Sequence, residues 1–160
     1  MSNVKSIAGI DSLIYHFNNS TSSDSLRSFL SGSVYISTLN LSYSSFESMK
    51  TIGFEIINDD QIRLSIIDLF EISYTHHVRS INEVEQTYFQ TYMDWYMNNR
   101  HKINLILESP TIRNGGTYNF MRNYVESKRI WKTDMIEGNN RLIVETKALK
   151  ELIVTYLTRP

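Results

Sequence analysis

The chain of 160 residues has no cysteine, which excludes disulfide bonds, thiolate catalysis, iron–sulfur clusters and cysteine-ligated zinc. Only two prolines and six glycines are present, so long helices can form with few interruptions. No apolar run approaches the ~20 residues that span a bilayer, and residues 1–17 lack the basic start and apolar centre of a signal peptide. From these absences we expect a soluble, helix-rich chain.

The composition is that of a folded domain, with 41% hydrophobic and 21% charged residues. The net charge is −1, but Lys and Arg number 5 against 11 Asp and Glu up to Asn99, and 11 against 6 from Arg100 onward. We interpret this asymmetry as an acidic first half that packs against a basic second half, since nucleic-acid-binding domains are usually basic throughout. The length fits one domain over residues 1–160.

Apolar residues recur at spacings of three and four along most of the chain, a pattern that predicts an all-α helical bundle. Two long helices, over about 60–100 and 129–157, are expected to pack antiparallel across a break at Pro110 and Asn114-Gly115-Gly116. Shorter helices are predicted over 4–17, over 24–30 with Asp24 as cap, from Ser44 or Ser45 to a stop at Gly53, and from Thr117.

Two motifs predict helix starts: Ser44-Ser45-Phe46-Glu47 has the form of a capping box, and Asn58-Asp59-Asp60 that of a turn followed by an N-cap. Residues 34–41 are interpreted as an extended connection, with a short strand paired to 103–107 as the alternative.

The long helices contain moderate helix formers that favour irregularity. A bend or break is expected near His76-His77 or Asn98-Asn99 in the first long helix. Gly138-Asn139-Asn140 predicts a kink in the second, with a full break as the alternative.

Residues 44–53, 56–63 and 66–70 together resemble a family of uncharacterised proteins of Gram-negative bacteria. Its members carry a pattern like aromatic-E-S-L-K-S-x-G, followed by L-I-x-N-D-x-L-R-x-x-I-x-x-L-Y, and the resemblance is specific over residues 44–74. The resemblance implies a helical domain at the cell envelope, typically behind one N-terminal transmembrane helix, which this sequence lacks. It brings no catalytic residues with it.

Titratable residues on the first long helix do not form a catalytic or metal-binding pattern. His76 and His77 are adjacent, so their side chains point about 100° apart, and zinc needs three or four converging ligands. Asp68 and Glu71 share a helix face that is best explained as solvated, and no Glu is followed by His three residues later, as di-iron bundles require. We therefore predict no metal, no cofactor and no enzymatic activity.

An aromatic run wraps around the first long helix, and part of it exceeds what one core-facing stripe needs. Phe89, Met93 and Tyr96 lie on the other face and form a candidate partner surface, since aromatic residues and Met are enriched in interfaces.

The second long helix begins with a candidate basic–aromatic patch of Lys128, Arg129, Trp131 and Lys132, with Arg122 nearby. Such a patch can bind phosphates and stack a base, but Trp131 as a core anchor is the favoured interpretation. Contact with lipid headgroups is a further alternative.

These features predict a non-enzymatic helical interaction module whose partner is another protein or a second copy of itself. One alternative is a small-ligand sensor with a closed polar cavity near Tyr74, His77 and Tyr124. The other is nucleic-acid binding through residues 128–132, which we consider unlikely.

Overall fold

A computed structural model describes residues 3–19, 21, 25–34, 36, 38–108 and 115–158. No strand occurs among these residues, so the predicted all-α helical bundle is confirmed. The elements are α1 (Asn3–Asn18), α2 (Leu26–Ser33), α3 (Ser44–Ile52), a 3₁₀ turn (Phe54–Ile56), α4 (Asp60–Ile67), a π-helical segment (Asp68–Tyr74), α5 (Thr75–Glu108) and α6 (Gly116–Leu157).

The first predicted long helix consists of α4, the π-helical segment and α5, which follow one another without a gap. It begins as predicted, because the Asp59 carboxylate accepts the Ile62 N–H at 3.1 Å and caps α4. It ends at Glu108 rather than near Arg100, so residues 103–107 are helical and the strand alternative is wrong. The irregularity lies in the π-helical segment rather than at His76-His77 or Asn98-Asn99.

The second long helix begins at Gly116 rather than 129 and absorbs the short helix predicted from Thr117. It continues through Gly138, so the alternative of a full break is wrong, while the kink stays a prediction. A Cβ at position 138 would lie 2.3 Å from Cε1 of His77, so the glycine makes room for a neighbouring ring within an intact helix. Between the long helices, Gly115 has φ +87°, while Pro110 and Asn114, like the predicted cap Asp24, lie outside the described residues.

Helix α3 begins at Ser44 and ends at Gly53 as predicted, where φ is +101° and the glycine N–H donates to the Met49 carbonyl oxygen. The predicted capping box is wrong. Tyr43 occupies the N-cap position and no side chain caps the helix, because Ser44 is already its first helical residue.

The described residues of 34–41 form an extended connection without a strand, as the favoured interpretation predicts. A side chain takes the place of a partner strand. Asn82 Oδ1 accepts the Leu39 N–H at 3.1 Å, and Asn82 Nδ2 donates to the Leu39 carbonyl oxygen at 3.3 Å. One amide thus satisfies both backbone groups of Leu39.

The chain divides into two compact units, and single-domain organisation stays a prediction. Unit 1 comprises Met1–Ser37 and Glu83–Ile136. Its parts of α5 and α6 run antiparallel, since Asn99 bonds Thr117 and, eleven residues earlier, Tyr88 bonds the Ser127 carbonyl. The core contains Ile10, Leu13, Phe17, Leu26, Leu30, Tyr92, Ile103, Ile106, Leu107, Tyr118, Met121, Tyr124 and Val125.

Unit 2 comprises Thr38–Asn82 and Glu137–Pro160. Here too α6 runs antiparallel to the helix it contacts, since His77 bonds Asn139 and Tyr74 bonds Thr146. Its core cluster is smaller and includes a ring stack, Phe46 on Phe70, with centroids 4.8 Å apart. The buried members of that cluster are Phe46, Ile62, Ile66, Leu69 and Leu149.

Candidate functional site

The residues predicted as a basic–aromatic patch do not form an exposed surface. Lys128 and Lys132 are both 0% exposed, and their ammonium groups bond the two oxygens of the equally buried Glu85 at 3.0 and 2.9 Å. Trp131 Nε1 donates to Glu85 Oε1 at 2.8 Å. A phosphate-binding patch needs exposed cations, so the predicted patch does not form at these two lysines, and nucleic-acid binding by the chain stays an untested alternative. Arg129 is exposed.

Three ion pairs among the described residues of unit 1 join the acidic half of the sequence to the basic half, as the charge asymmetry predicts, whereas Arg122 and Glu126 pair within the basic half. Lys128 bonds Glu85, and Arg129 bonds Asp11. Burial lowers the pKa of Lys128, and the hydrogen bond that its ammonium group donates to Glu85 opposes that shift. The Lys128 ammonium also lies 5.0 Å from the centre of the Tyr88 ring. Glu85 of α5 and its partners Lys128, Trp131 and Lys132 of α6 thus form a polar cluster that holds the two helices together inside unit 1.

The candidate partner surface on α5 is only half exposed. Phe89, Met93 and Tyr96 are each partly buried, and Met93 and Tyr96 pack against the core of unit 1. Tyr96 stacks on Tyr92 with ring centroids 5.6 Å apart. A partner-binding role for the three residues stays a prediction.

The two adjacent histidines have different surroundings. His76 is exposed, whereas His77 is half-buried and its Nε2 donates to Asn139 Oδ1 at 2.9 Å. His77 is thus a boundary histidine with a helix-to-helix hydrogen bond. The structure places no group of three or more potential metal ligands together within the residues it describes.

The three residues named for a ligand cavity line separate grooves. Tyr74 and His77 belong to unit 2, where they border two different open grooves, and Tyr124 borders an open groove of unit 1. The closed polar cavity that the sensor alternative requires is therefore not built by these residues.

Unit 2 contains an apolar groove of about 560 Å³ that is open to solvent. One wall is the extended connection, whose Leu39 is held by Asn82, and the other is α6. Tyr74 closes one side by donating a hydrogen bond to Thr146, whose own hydroxyl donates to the Leu142 carbonyl. The lining residues are Leu39, Leu41, Tyr74, Asn139, Leu142, Ile143, Thr146, Lys147 and Lys150.

The groove continues into an exposed stripe along α6. Residues 143, 147, 150, 154 and 157 follow one another in steps of four and three, so they share one helix face. We call this face the basic stripe: Ile143, Lys147, Lys150, Val154 and Leu157. Its three apolar members are 50–72% exposed, and neither lysine forms an ion pair with the described residues.

The π-helical segment borders the groove and two neighbouring depressions of unit 2. Tyr74 lines the apolar groove, Asp68 and Ser73 line a depression of about 460 Å³, and Ile72 lines one of about 210 Å³ beside His76. π-helical turns occur frequently at functional sites. We therefore treat this side of unit 2 as the candidate functional site.

Sequence reasoning missed the groove, although part of its signal is visible in the sequence. Ile143 and Val144 are apolar residues on the otherwise polar, solvent-facing side of α6, and both are exposed. No sequence pattern indicates that Leu39 and Leu41 line the groove. Their placement depends on the hydrogen bonds between Leu39 and Asn82, which is distant in the sequence.

No protein-family model matches the chain, and no curated protein or solved structure matches it. None of the helices in the described part of the chain is both long enough and apolar enough to cross a membrane.

Proposed function

We propose that the chain is a non-enzymatic protein-interaction module in which unit 2 binds the partner. The observation that carries this proposal is the distribution of apolar side chains between the two units. Among the described residues of unit 2, eight large hydrophobic side chains are exposed and seven are buried. Among the side chains of unit 1 that the structure describes, four are exposed and fourteen are buried.

This excess supports a docking role for unit 2, because monomeric domains rarely leave contiguous apolar surface uncovered. Three exposed apolar residues lie on the basic stripe, next to the apolar groove. A groove that continues into a helix face suits an elongated partner segment, such as a helix whose apolar side enters the groove. The basic stripe is a better-supported docking surface than Phe89, Met93 and Tyr96, which are partly covered by their own unit.

The resemblance of residues 44–74 to anchored bacterial proteins supports a role for the module at the cell envelope. That stretch forms α3, α4 and the π-helical segment, all within unit 2. Fractionation of the producing cells, followed by detection of the chain, tests this location. Recovery with the envelope fraction is the expected result, and recovery only with the soluble cytoplasmic fraction would contradict it.

Small-ligand sensing is the second candidate, and the volume of the apolar groove favours it. At about 560 Å³ the groove falls within the range of ligand pockets, roughly 300–1,000 Å³. Its openness favours a protein partner instead, because ligand pockets enclose most of the surface of their ligands.

Site-specific photo-crosslinking in the producing cells tests the proposed function. A photoreactive amino acid is placed at Ile143 or at Val154, both exposed on the basic stripe. The matched control carries the same amino acid at Gln90, an exposed polar residue of unit 1. Covalent protein adducts from positions 143 and 154, with none from 90, are expected.

Absence of adducts from both stripe positions, or equal adducts from position 90, would refute the docking role of unit 2. The mass of each adduct also identifies the partner, because a second copy of the chain adds a further 18.7 kDa.

A further inference from the structure

Unit 2 also has an exposed acidic face, on α4 and the π-helical segment. Leu64 and Ile72 are 58% and 61% exposed, and the carboxylates of Asp68 and Glu71 are exposed between them. We call these four residues the acidic stripe. Asp68 has no ion pair with the described residues, and Glu71 has a solvent-exposed one with Lys50 at 3.2 Å.

The acidic stripe matches the basic stripe in spacing and is opposite to it in charge. From Leu64, the two carboxylates follow after four and then three residues, at Asp68 and Glu71. From Ile143, the two ammonium groups follow at the same intervals, at residues 147 and 150. Residues 68–74 are π-helical, so the match is one of sequence spacing, apolar content and opposite charge rather than of rise along the two helix axes.

We propose that the basic stripe of one chain binds the acidic stripe of a second copy of the same chain. This inference rests on the proposed function and names its partner. In this contact the carboxylates of the acidic stripe meet the ammonium groups of the basic stripe, and the exposed apolar side chains of the two stripes cover one another. The apolar contacts supply most of the affinity, and the charges set register and partner choice.

A two-fold axis repeats the contact, so that both stripes of both copies are covered and the assembly closes as a dimer. The ion pair between Glu71 and Lys50 does not prevent this, because a solvent-exposed pair is weak and can exchange partners. Closure covers the exposed apolar residues of both stripes.

Charge reversal with mixing tests the inference. The variant K147E/K150E has two acidic faces, and D68K/E71K has two basic faces. Each alone is expected to dissociate about tenfold or more readily than the wild-type chain. An equimolar mixture is expected to associate again, because every contact in the mixed dimer is complementary.

Sedimentation velocity over a concentration series measures these associations, and circular dichroism checks that each variant is folded. The control R100E/K102E reverses two exposed cations of unit 1 and is expected to associate like the wild type. If a reversal variant fails to fold, the neutral variant K147Q/K150Q replaces it, with a smaller loss expected. Association of the wild-type chain should also weaken at high ionic strength.

A wild-type chain that stays monomeric at all concentrations overturns the inference. The inference is also overturned if both charge-reversal variants associate as strongly as the wild type, or if their equimolar mixture stays dissociated. These results are distinguishable from failure of the proposed function. Crosslinks from positions 143 and 154 to other proteins, together with a monomeric chain, would leave the module intact and reject self-association.

Discussion

Removing the Glu85 carboxylate should destabilise unit 1 more than any change to a surface charge. In E85Q the buried ammonium groups of Lys128 and Lys132 lose the negative charge that lies 2.9–3.0 Å from them, and the amide leaves one acceptor oxygen in place of two. Breaking a buried ion pair from one side costs about 3–5 kcal/mol, because the remaining charge is desolvated without compensation. For a chain of this size, each kcal/mol shifts the melting temperature by about 2–4 °C, so a fall of about 6–20 °C is expected.

The stability lost in E85Q should decrease as the pH rises. Burial lowers the pKa of Lys128 below its usual 10.5, and E85Q replaces the charged acceptor that opposes this shift by a neutral one. Between the lowered pKa and 10.5 the unfolded chain binds more protons than the native one, so stability rises with pH. The difference in free energy of unfolding between the wild type and E85Q should therefore become smaller from about pH 7 towards about pH 10.

Chemical denaturation followed by tryptophan fluorescence is the assay, because Trp95 and Trp131 both lie in unit 1. The control D134N removes an exposed carboxylate and should stay within about 0.5 kcal/mol of the wild type. The triple variant E85M/K128M/K132M should recover most of the loss, because apolar residues of similar volume often replace a buried ion cluster without penalty. A loss in E85Q below about 1 kcal/mol, or a triple variant less stable than E85Q, would refute the reasoning.

Three further substitutions test local packing, each read from denaturant unfolding curves. G138A should cost about 1–3 kcal/mol, because the added Cβ lies 2.3 Å from the His77 ring, and in an H77A background the same change should instead stabilise by up to about 1 kcal/mol. A cost that persists without the ring would rule out this clash. D59A should cost about 0.5–2 kcal/mol and D59N far less, since Asn retains the cap on α4; equal losses in both would argue against capping. The hydroxyl of Tyr124 is buried without a hydrogen-bond partner in the described part of the chain, so Y124F should stabilise by about 1 kcal/mol, and a loss of stability would mean that the hydroxyl is satisfied.

Local signals in the sequence were sufficient for the helical class and for several helix ends. The three-and-four spacing of apolar residues predicts both long helices, because a helix of this length must bury one face. Asp59 and Gly53 also mark a helix start and stop correctly, since capping and a positive φ depend on residues within one turn. The separation of acidic and basic halves likewise anticipates the pairing of Glu85 and Asp11 with cations of α6.

Tertiary structure alone decided which polar residues lie inside and which apolar residues lie outside. Lys128 and Lys132 read as a basic patch because nothing near them in the sequence reveals Glu85, more than forty residues away, as their shared partner. The groove of unit 2 depends on Asn82 holding Leu39 across a similar separation. Sequence periodicity shows which residues share a face of a helix. Whether that face is buried depends on which distant element packs against it, and only the folded chain determines that.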